Sequence, residues 1–234
     1  MFDLEAITEV FLPYPCIRKG VLSVEEAIAY RRSIRSFKRE PISLDQLSQI
    51  LWALYGVTDP DHRFLATPSA GATYPLEVYV VIGDNAVKDL NNRYLDAGVY
   101  RYDNHAHKLD FLISGDLREE LYKACLHQSW VRDAAVNIVM CAAYERTTSY
   151  YGERGYRYVH FEVGHAGQNV YLMATALGLG TVAIGAFKDL DVKRILKLPP
   201  NVHPLYIMPV GVPTRSYTVT EKELTEYINE HRIA

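Results

Sequence analysis

The sequence predicts an α+β fold, in which a sheet is flanked by helices, rather than a strictly parallel α/β fold. Three observations lead to this prediction. The chain mixes segments with strand patterns and segments with helical patterns. Residues 98–113 have the pattern of a β-hairpin that turns near Asp103 and Asn104. Residues 136–142 are nearly all apolar, which is typical of a buried central strand.

A single domain is the economical prediction for these 234 residues, because this length is ordinary for one domain with a sizeable core. No internal repeat and no low-complexity linker divides the chain. We therefore expect one domain over residues 1–234, with an N-terminal arm over residues 1–20 and a C-terminal extension over about residues 217–234.

Two capping boxes mark the first helices. Residues 23–26 (Ser-Val-Glu-Glu) predict a helix from about Val24 to about Ser33. Residues 43–46 (Ser-Leu-Asp-Gln) open a second helix, which Gly56 ends. The apolar stripe of this second helix has a clear helical period and consists of Leu44, Leu47, Ile50, Leu51 and Leu54.

The elements around the hairpin are predicted from local sequence patterns. Residues 57–75 are loop-like, and residues 76–82 form a strand rich in β-branched residues and tyrosine. Residues 87–94 are predicted as a short helix. Residues 116–126 are predicted as another helix, with acidic capping residues at its start.

A long helix dominates the last third of the chain. Residues 144–157 are polar and rich in tyrosine, and the helix follows from about Tyr158 to Leu177. Its many small residues allow close packing against another helix, and Gly178 and Gly180 end it. The remaining elements are a short strand over 181–184, a helix over 189–196, a strand over 205–210 and a final helix capped by residues 220–223.

The composition argues against several classes of partner. Lys and Arg number 25 against 28 Asp and Glu, so nothing supports broad electrostatic binding to nucleic acid. No window approaches the ~20 apolar residues that span a bilayer, and the acidic start over residues 1–5 lacks the form of a signal peptide. Cys16, Cys125 and Cys141 are isolated and odd in number, which argues against a disulfide framework. We therefore expect a cytoplasmic protein with no nucleic-acid or membrane partner.

Residues 31–35 (Arg-Arg-Ser-Ile-Arg) concentrate positive charge in a chain whose formal net charge is −3. On a helix, Arg31 and Arg35 lie one turn apart on one face, at the end where the helix dipole favours cations. One interpretation is therefore a solvated helix end. The other is an anion site, because arginine binds phosphate bidentately and each charged hydrogen bond contributes about 1.5–3 kcal/mol.

Three further segments could contact a ligand. Residues 67–72 are small residues around a proline, and they either leave backbone amides accessible to a flat ligand or form a strand-entry turn. Residues 178–187 contain Gly-x-Gly, but a helix precedes it, so this is not a dinucleotide fingerprint. The end of that segment, at Gly185 and Ala186, exposes backbone amides. Arg215 follows a buried strand.

No metal site is predicted from the sequence. His105 and His107 flank one residue of the hairpin, and no cluster of cysteines or carboxylates joins them. His160 and His165 are five residues apart on the predicted long helix and point to different faces. The sequence contains no Gly-x-Ser-x-Gly elbow, no Walker loop and no Cys-x-x-Cys pair.

Five segments carry a resemblance to a known family: residues 31–37 (Arg-Arg-Ser-Ile-Arg-Ser-Phe), 68–72 (Pro-Ser-Ala-Gly-Ala), the long-helix signature at 151–158 and 162–169, 178–180 (Gly-Leu-Gly) and 211–213 (Gly-Val-Pro). In this order they resemble the flavin-dependent nitroreductase superfamily, and more specifically its branch of SagB/ThcOx-type dehydrogenases. The likeness extends from Ser23 to Arg215. It implies a nitroreductase-like, FMN-dependent fold with a central, mostly antiparallel sheet flanked by helices, and an intertwined homodimer with FMN at its interface.

The resemblance also implies roles for individual residues. Arg31, Arg32 and Ser33 are expected to hold the FMN phosphate and ribityl chain, and Arg215 is expected to return to the phosphate. Arg35 is expected near the pyrimidine edge of the flavin, where a cation stabilises the anionic reduced form and raises the reduction potential. The residues expected from the other subunit are Pro68, Ser69, Ala70 and Gly71.

The remaining expected contacts lie around the flavin ring. Gly185 and Ala186 are expected to present backbone amides toward flavin N5, and Gln128 is a candidate polar contact to the ring. A backbone N–H at N5 orients the atom that exchanges hydride, so no side-chain acid or base is predicted. Tyr151 is either a group on the substrate side or a packed aromatic residue.

The implied function is that of an FMN-dependent oxidoreductase that transfers hydride through flavin N5. NAD(P)H is the expected donor, and a small quinone or nitro compound is the expected acceptor. One alternative is a SagB-like dehydrogenase of azolines in heterocyclised peptides. Members with that activity are expected to have a Lys-Tyr pair where this chain has Tyr150 and Tyr151.

Two departures from the nitroreductase pattern qualify the resemblance. Many nitroreductases have Asn where this chain has Ala72, which fits the SagB-like branch, and Lys where it has Pro213. Two further alternatives remain open: a flavin-binding protein without reductase turnover, and a protein without flavin.

Overall fold

The computed structural model describes residues 8–17 and 22–232. The strands are β1 (Glu9–Phe11), β2 (Ile42–Ser43), β3 (Val57–Asp59), β4 (Phe64–Leu65), β5 (Leu76–Ile82), β6 (Val87–Lys88), β7 (Gly98–Asp103), β8 (Lys108–Ser114), β9 (Val136–Ala142), β10 (Gly180–Thr181) and β11 (His203–Gly211). The helices are α1 (Val24–Tyr30), α2 (Leu44–Tyr55), α3 (Arg118–Ala124), α4 (Ser129–Asp133), α5 (Glu145–Tyr151), α6 (Arg154–Ala176), α7 (Asp189–Leu196) and α8 (Glu221–Arg232), with a 3-10 turn at Ala70–Ala72.

A seven-stranded antiparallel sheet is the centre of the fold. The strand order is β1-β8-β7-β5-β9-β11-β10, and every neighbouring pair in this order is antiparallel. A short parallel pair, β2 with β6, and an antiparallel pair, β3 with β4, lie outside this sheet. The sheet with its flanking helices confirms the predicted α+β fold.

The strand β9 separates two apolar cores. Its side chains alternate between the two faces of the sheet, as the period of a strand requires. Val136, Ile138 and Met140 belong to the core that α2 and α6 cover, whereas Val139 and Cys141 belong to the core that α3 and α7 cover. Every residue of β9 is buried, which confirms the prediction of a central strand.

Elements with a strong local signal lie where the sequence predicts them. At the start of α2, Gln46 N donates to Ser43 Oγ at 3.1 Å and Ser43 N donates to Gln46 Oε1 at 2.9 Å, which completes the predicted capping box. The strand over 76–82 and the helix over 189–196 have the predicted bounds. The long helix begins earlier than predicted, at Arg154.

Two predictions between residues 57 and 94 are wrong. Residues 57–75, predicted as a loop, contain the hairpin of β3 and β4. Residues 87–94 are not a helix, because β6 pairs with β2 and a turn follows. The Asp89 side chain fixes that turn by accepting hydrogen bonds from Asn91 N and Arg93 N, both at 2.8 Å. Tertiary pairing has overridden local helix propensity here.

The first helix is shorter than predicted, because α1 ends at Tyr30 rather than near Ser33. Arg31 has φ −54° and ψ 125°, which is not helical. Ser33 forms a parallel bridge with Thr181 of β10. Arg31 and Arg35 therefore lie on an extended segment, and the prediction that they share one face of a helix is wrong.

Both chain ends differ from the body of the fold. Of the predicted N-terminal arm, residues 1–7 and 18–20 lie outside the described residues, and β1 pairs with β8. In the predicted C-terminal extension, α8 has no buried residue. Across residues 8–17 and 22–232, no helix combines the length and the apolar character that crossing a bilayer requires.

A half-buried histidine contacts the described part of the N-terminal arm. His107 Nε2 lies 3.0 Å from the Pro13 carbonyl oxygen, and His107 Nδ1 lies 2.8 Å from Tyr102 Oη. This pattern assigns the neutral tautomer that carries its proton on Nε2, because Nδ1 then accepts from the tyrosine. Ser48 Oγ donates to the same Pro13 oxygen at 2.6 Å. The contact between the arm and the hairpin therefore depends on an uncharged imidazole.

This contact predicts a loss of stability in mild acid. Burial lowers the pKa of His107, so the folded chain binds this proton less readily than the unfolded chain. The stabilisation is complete above the unfolded pKa near 6.5 and is lost as the pH falls through the lowered folded pKa. Urea denaturation at about pH 7.5 and about pH 5 is expected to show a larger loss for the wild type than for His107→Gln. His105→Gln, at an exposed position of the same turn, is the control and should follow the wild type; equal losses in all three proteins would contradict the assignment.

Candidate functional site

The segment that carries three of the predicted arginines runs along the edge of the main sheet. Ile34 N donates to the Thr181 carbonyl oxygen at 2.9 Å, beside the Ser33–Thr181 bridge. Gly180 makes this approach possible, because a Cβ there would lie 2.8 Å from Ile34 Cγ2. Farther along, Phe37 pairs with Pro213. Residues 31–37 are therefore held in place by strand-like pairing.

Tyr171 of α6 links residues 31–37 to the segment that leads into Gly185 and Ala186. Its hydroxyl lies 3.0 Å from Ser33 Oγ and accepts a hydrogen bond from Ala183 N at 2.8 Å. The Arg31 guanidinium lies 5.0 Å from the centre of the Tyr171 ring, within the range of a cation–π contact. Sequence reasoning did not find Tyr171, although it lies within the predicted long helix.

The predicted ring contacts lie next to this tyrosine. Gly185 and Ala186 follow Ala183 and are both exposed. Gln128 Nε2 donates to the Ala186 carbonyl oxygen at 3.0 Å and to the Cys125 carbonyl oxygen at 2.9 Å. The Gln128 amide therefore fixes the Gly185–Ala186 turn.

Two aromatic residues lie against the arginines, and sequence reasoning found neither. The Arg35 guanidinium lies 5.6 Å from the centre of the Trp130 ring, and that of Arg32 lies 3.6 Å from the centre of the Tyr217 ring. Arg32, Arg215 and Tyr217 line a cavity of about 250 Å³. The structure thus brings Arg215, from the C-terminal part of the chain, to the predicted arginine cluster.

The arginines of this cluster are Arg31, Arg32, Arg35 and Arg215. Within residues 8–17 and 22–232, none of them has a carboxylate oxygen within 4.0 Å. Arg32 Nη1 donates to two backbone carbonyl oxygens, those of Ala29 at 3.0 Å and Arg31 at 2.7 Å. Guanidiniums without counter-charges among the described residues create a positive potential at this edge of the sheet. The arrangement can bind an anion, and phosphate suits the planar donor fork of arginine.

Two buried polar side-chain atoms without a hydrogen-bond partner lie beside the arginine cluster. In the described part of the chain, three side-chain atoms of this kind occur: Trp130 Nε1, Asn137 Oδ1 and Thr181 Oγ1. Trp130 lies against Arg35, and Thr181 pairs with Ser33. Buried polar atoms are normally paired. Two of the three exceptions in the described residues lie beside the arginine cluster, which is therefore a candidate ligand site.

The other predicted group, Pro68–Gly71, lies in a strained loop before β5. Gly71, Ala72 and Tyr74 all have positive φ values, at 60°, 51° and 44°. Non-glycine residues rarely adopt such values without support from their surroundings. The hydroxyl of Tyr151 lies close to this backbone, because a Cβ on Gly71 would be 2.7 Å from it. Tyr151 thus contacts the predicted loop rather than standing apart from it.

Two polar side chains of α6 also face this loop, and sequence reasoning gave them no role. Tyr55 Oη donates to Glu162 Oε1 at 2.6 Å. Asn169 Nδ2 donates to the Ala53 carbonyl oxygen at 2.9 Å and lies 3.2 Å from Thr67 Oγ1. Their spacing of seven residues, about two helical turns, was the signal that could have placed both on one face.

The arginine cluster and the loop lie on opposite sides of α6. Glu162, which faces the loop, and Tyr171, which faces the arginine cluster, are nine residues apart. At 3.6 residues per turn this is about two and a half turns, so their side chains point in opposite directions. A helix about 10 Å across therefore stands between the two groups within one chain. The structure does not bring the twelve predicted binding residues into one cleft of a single protomer.

Metal and thiol chemistry receive no support from the described residues. Within them, no group of three or more His, Cys, Asp or Glu side chains could hold a metal ion. Cys16, Cys125 and Cys141 are unpaired thiols. Burial raises the pKa of the Cys125 thiol to about 12, so this thiol is not an activated nucleophile.

Comparison with known proteins agrees with this architecture. A family model described as "Nitroreductase family" matches residues 28–212. A candidate nitroreductase of Methanocaldococcus jannaschii is 46% identical over 190 residues, which cover 81% of this chain and 91% of that protein. The trifolitoxin-processing protein TfxB of Rhizobium leguminosarum bv. trifolii is 31% identical over 172 residues, which cover 69% of this chain and 44% of that protein.

Solved structures give the same result. A candidate nitroreductase from Ralstonia eutropha JMP134 superposes with a TM-score of 0.76 and 25% identity, covering 89% of this chain and 90% of that one. An NADPH:FMN oxidoreductase from Vibrio harveyi superposes with a TM-score of 0.59 and 21% identity, covering 90% of this chain and 85% of that one. The second likeness concerns the fold alone.

Proposed function

The chain belongs to the nitroreductase family and is an oxidoreductase, and on this premise we propose that it binds FMN and passes electrons from NAD(P)H to a small quinone or nitro compound. The family and the nitroreductase-like fold expected from the sequence are confirmed. The observation that carries the proposal is the cluster of four guanidiniums, which have no carboxylate oxygen within 4.0 Å among the described residues, together with the exposed Gly185–Ala186 turn.

The residues of the cluster fit FMN in their chemistry. The negative charge of the FMN phosphate would balance the positive charges of Arg31, Arg32 and Arg215. Arginine binds phosphate bidentately. The unpartnered Thr181 Oγ1 and Trp130 Nε1 offer further hydrogen bonds beside these cations. A protein with the same fold, from Vibrio harveyi, is an NADPH:FMN oxidoreductase, and we therefore propose FMN as the phosphate-bearing ligand.

When bound, FMN supplies the two-electron chemistry, by accepting hydride from a donor and passing it to an acceptor. The residues of this chain bind and orient it. Arg31, Arg32 and Arg215 would hold the phosphate end, and Arg35 would face the pyrimidine edge, where its charge would favour the anionic reduced ring. The N–H groups of the Gly185–Ala186 turn would donate toward the ring, and no side chain of this group would be required to move a proton.

We propose further that the active form is a homodimer in which each site uses both copies of the chain. Pro68–Gly71 and the arginine cluster contact side chains that point to opposite sides of α6, which favours a site in which a second protomer supplies one of the two groups. The face of α6 between them is uncovered: Phe161 is exposed, and a Cβ on Gly164 would meet no atom within 4 Å. A second copy packed on this face supplies the missing loop.

Azoline dehydrogenation is the second candidate function. The resemblance to a trifolitoxin-processing protein favours it, and Tyr151 lies against the loop that would border the flavin. The chain has Tyr150 where the resemblance leads us to expect lysine. A coupled assay with a heterocyclised peptide separates the candidates: flavin reduction by the peptide, and none by NAD(P)H, would replace the proposed function with this one.

The central test of the proposal uses the purified protein. It should be yellow and should release FMN rather than FAD when denatured. In stopped-flow mixing, NADH or NADPH should bleach the flavin absorbance, and a quinone or nitroaromatic compound should restore it. Flavin that stays oxidised with both nicotinamides would indicate a binding protein without reductase turnover. A colourless protein with no affinity for added FMN would exclude the flavin site itself.

Replacement of Arg35 by glutamine tests its role beside the ring. Arg35→Gln is expected to lower the two-electron reduction potential of the bound flavin by roughly 30 mV, because about 1.4 kcal/mol of preference for the anionic reduced ring is lost. Potentials are measured by equilibration with a reference dye. Arg194→Gln removes an exposed arginine of α7 and should leave the potential unchanged. An unaltered potential in Arg35→Gln would remove this residue from the proposed role.

Mixed dimers test whether the two groups act across the interface. Protomers with Arg31→Ala and Arg215→Ala lack the cation half, and protomers with Gly71→Ala carry a Cβ where Tyr151 Oη packs. Each variant alone should bind FMN poorly. Co-refolding equal amounts should restore about a quarter of the wild-type sites, because half of the dimers are mixed and each mixed dimer regains one intact site. If the site lies within one chain, mixing restores nothing.

A further inference from the structure

Glu162 is a buried carboxylate that the proposed chemistry does not use. It lies in the middle of α6 with 2% of its surface exposed. In the described part of the chain, no cation lies within 4.0 Å of it. Burying a carboxylate without a cation is costly unless hydrogen-bond donors surround it. The identity of its donors therefore indicates what the residue does.

Two residues beside Glu162 lie at the ends of one loop. Ser69, near the start of the loop, is close enough to the carboxyl group to lower its pKa. Tyr55 Oη donates to Glu162 Oε1 at 2.6 Å and accepts from Leu76 N at 3.3 Å, where β5 begins. Ser69 Oγ in turn accepts from Tyr74 N at 2.9 Å. A single carboxyl group thus lies beside both ends of the segment that contains Pro68–Gly71.

Other contacts fix the same segment from two directions. Asn169, on the same face of α6, holds Thr67, whose Oγ1 donates to the Leu54 carbonyl oxygen at 2.6 Å. On the far side, Thr73 Oγ1 lies 2.8 Å from Thr147 Oγ1 of α5. The positive φ values of this loop persist only if its surroundings hold them. Among these contacts to the loop, only the one through Glu162 involves a buried carboxyl group that can titrate.

We propose that Glu162 is the positioning residue of the flavin loop: acting through Ser69 and Tyr55, its carboxylate fixes the conformation in which Pro68–Gly71 meets FMN. This inference rests on the proposed function. A carboxylate offers two acceptor oxygens to the neighbouring hydroxyl groups of Tyr55 and Ser69, whereas one heteroatom of an amide or of a protonated carboxyl group carries a donor hydrogen. Loss of one acceptor releases one end of the loop, and the flavin then has to order the loop when it binds.

The protonation state of Glu162 is therefore expected to affect the conformation of the loop. Burial raises the pKa of this carboxyl group, and the neighbouring hydroxyl groups of Ser69 and Tyr55 act in the opposite direction. The ionisable group that faces it from α2 is Tyr55, whose own pKa is raised by burial and by Glu162, while Arg146 of α5 acts in the opposite direction. Because Tyr55 stays protonated through the acid range, Glu162 is the group in this contact that changes charge as the pH falls.

The test measures FMN affinity across pH in Glu162→Gln. The dissociation constant, from quenching of flavin fluorescence, is expected to rise about tenfold at neutral pH, equivalent to about 1.4 kcal/mol. Wild-type affinity should fall as the pH drops through the raised pKa of Glu162, whereas the variant should lack this phase. Titration of the FMN phosphate is common to both proteins and cancels in the comparison. If Glu162→Gln binds FMN as tightly as the wild type and with the same pH dependence, the proposal is overturned.

Two further variants and a measurement of amide hydrogen exchange distinguish the role of Glu162 from a general loss of structure. Tyr55→Phe removes one donor but keeps the carboxylate, so it should weaken FMN less and retain the pH phase. Glu226→Gln makes the same chemical change on the exposed helix α8 and should match the wild type. In the FMN-free proteins, amide exchange at Tyr74 and Leu76 should accelerate in Glu162→Gln while exchange in β9 does not.

The exchange measurement also separates this proposal from the proposed function. Faster loop exchange in a protein that binds no FMN would mean that the flavin function is wrong while Glu162 still holds the loop. Normal FMN binding and normal loop exchange in Glu162→Gln would mean that the flavin function stands and the positioning role is wrong.

Discussion

The helix α6 is the constraint on which the rest of the site depends. Its apolar side is buried against the main sheet and α2, and a polar side chain projects on each flank of that buried face. Tyr171 bonds Ser33 and the backbone before Gly185, while Glu162 and Asn169 hold the loop before β5. Because side chains on one helix keep a fixed angle and spacing, α6 sets the position of both groups relative to the sheet.

The two halves of the proposed site are built on different physical principles. The arginine segment is extended and paired to β10, so it presents guanidiniums that no protein carboxylate neutralises within the described ranges. That half attracts an anion through unpaired charge. The loop of Pro68–Gly71 has a strained backbone that buried hydrogen bonds hold from within. That half offers a preorganised surface, which costs little further order when a ligand binds.

Local signals explain which elements could be predicted from the sequence. The capping boxes at residues 23–26 and 43–46 place the starts of α1 and α2 correctly, because their hydrogen bonds join residues three apart. The apolar run of β9 is read correctly because both faces of that strand are buried. Residues 87–94 and the end of α1 were predicted incorrectly, because each pairs with a strand far away in sequence, and such pairing leaves no local pattern.

The sequence by itself determined the α+β class, the family and the residue types of the site, because capping, periodicity and motif order are properties of neighbouring residues. Only the tertiary structure decided which of those residues meet. It added Tyr171, Trp130 and Tyr217 to the arginine cluster, and it separated that cluster from the loop on opposite sides of α6. Contacts between distant segments depend on how helices and strands pack, and packing is fixed by the whole chain rather than by any one motif.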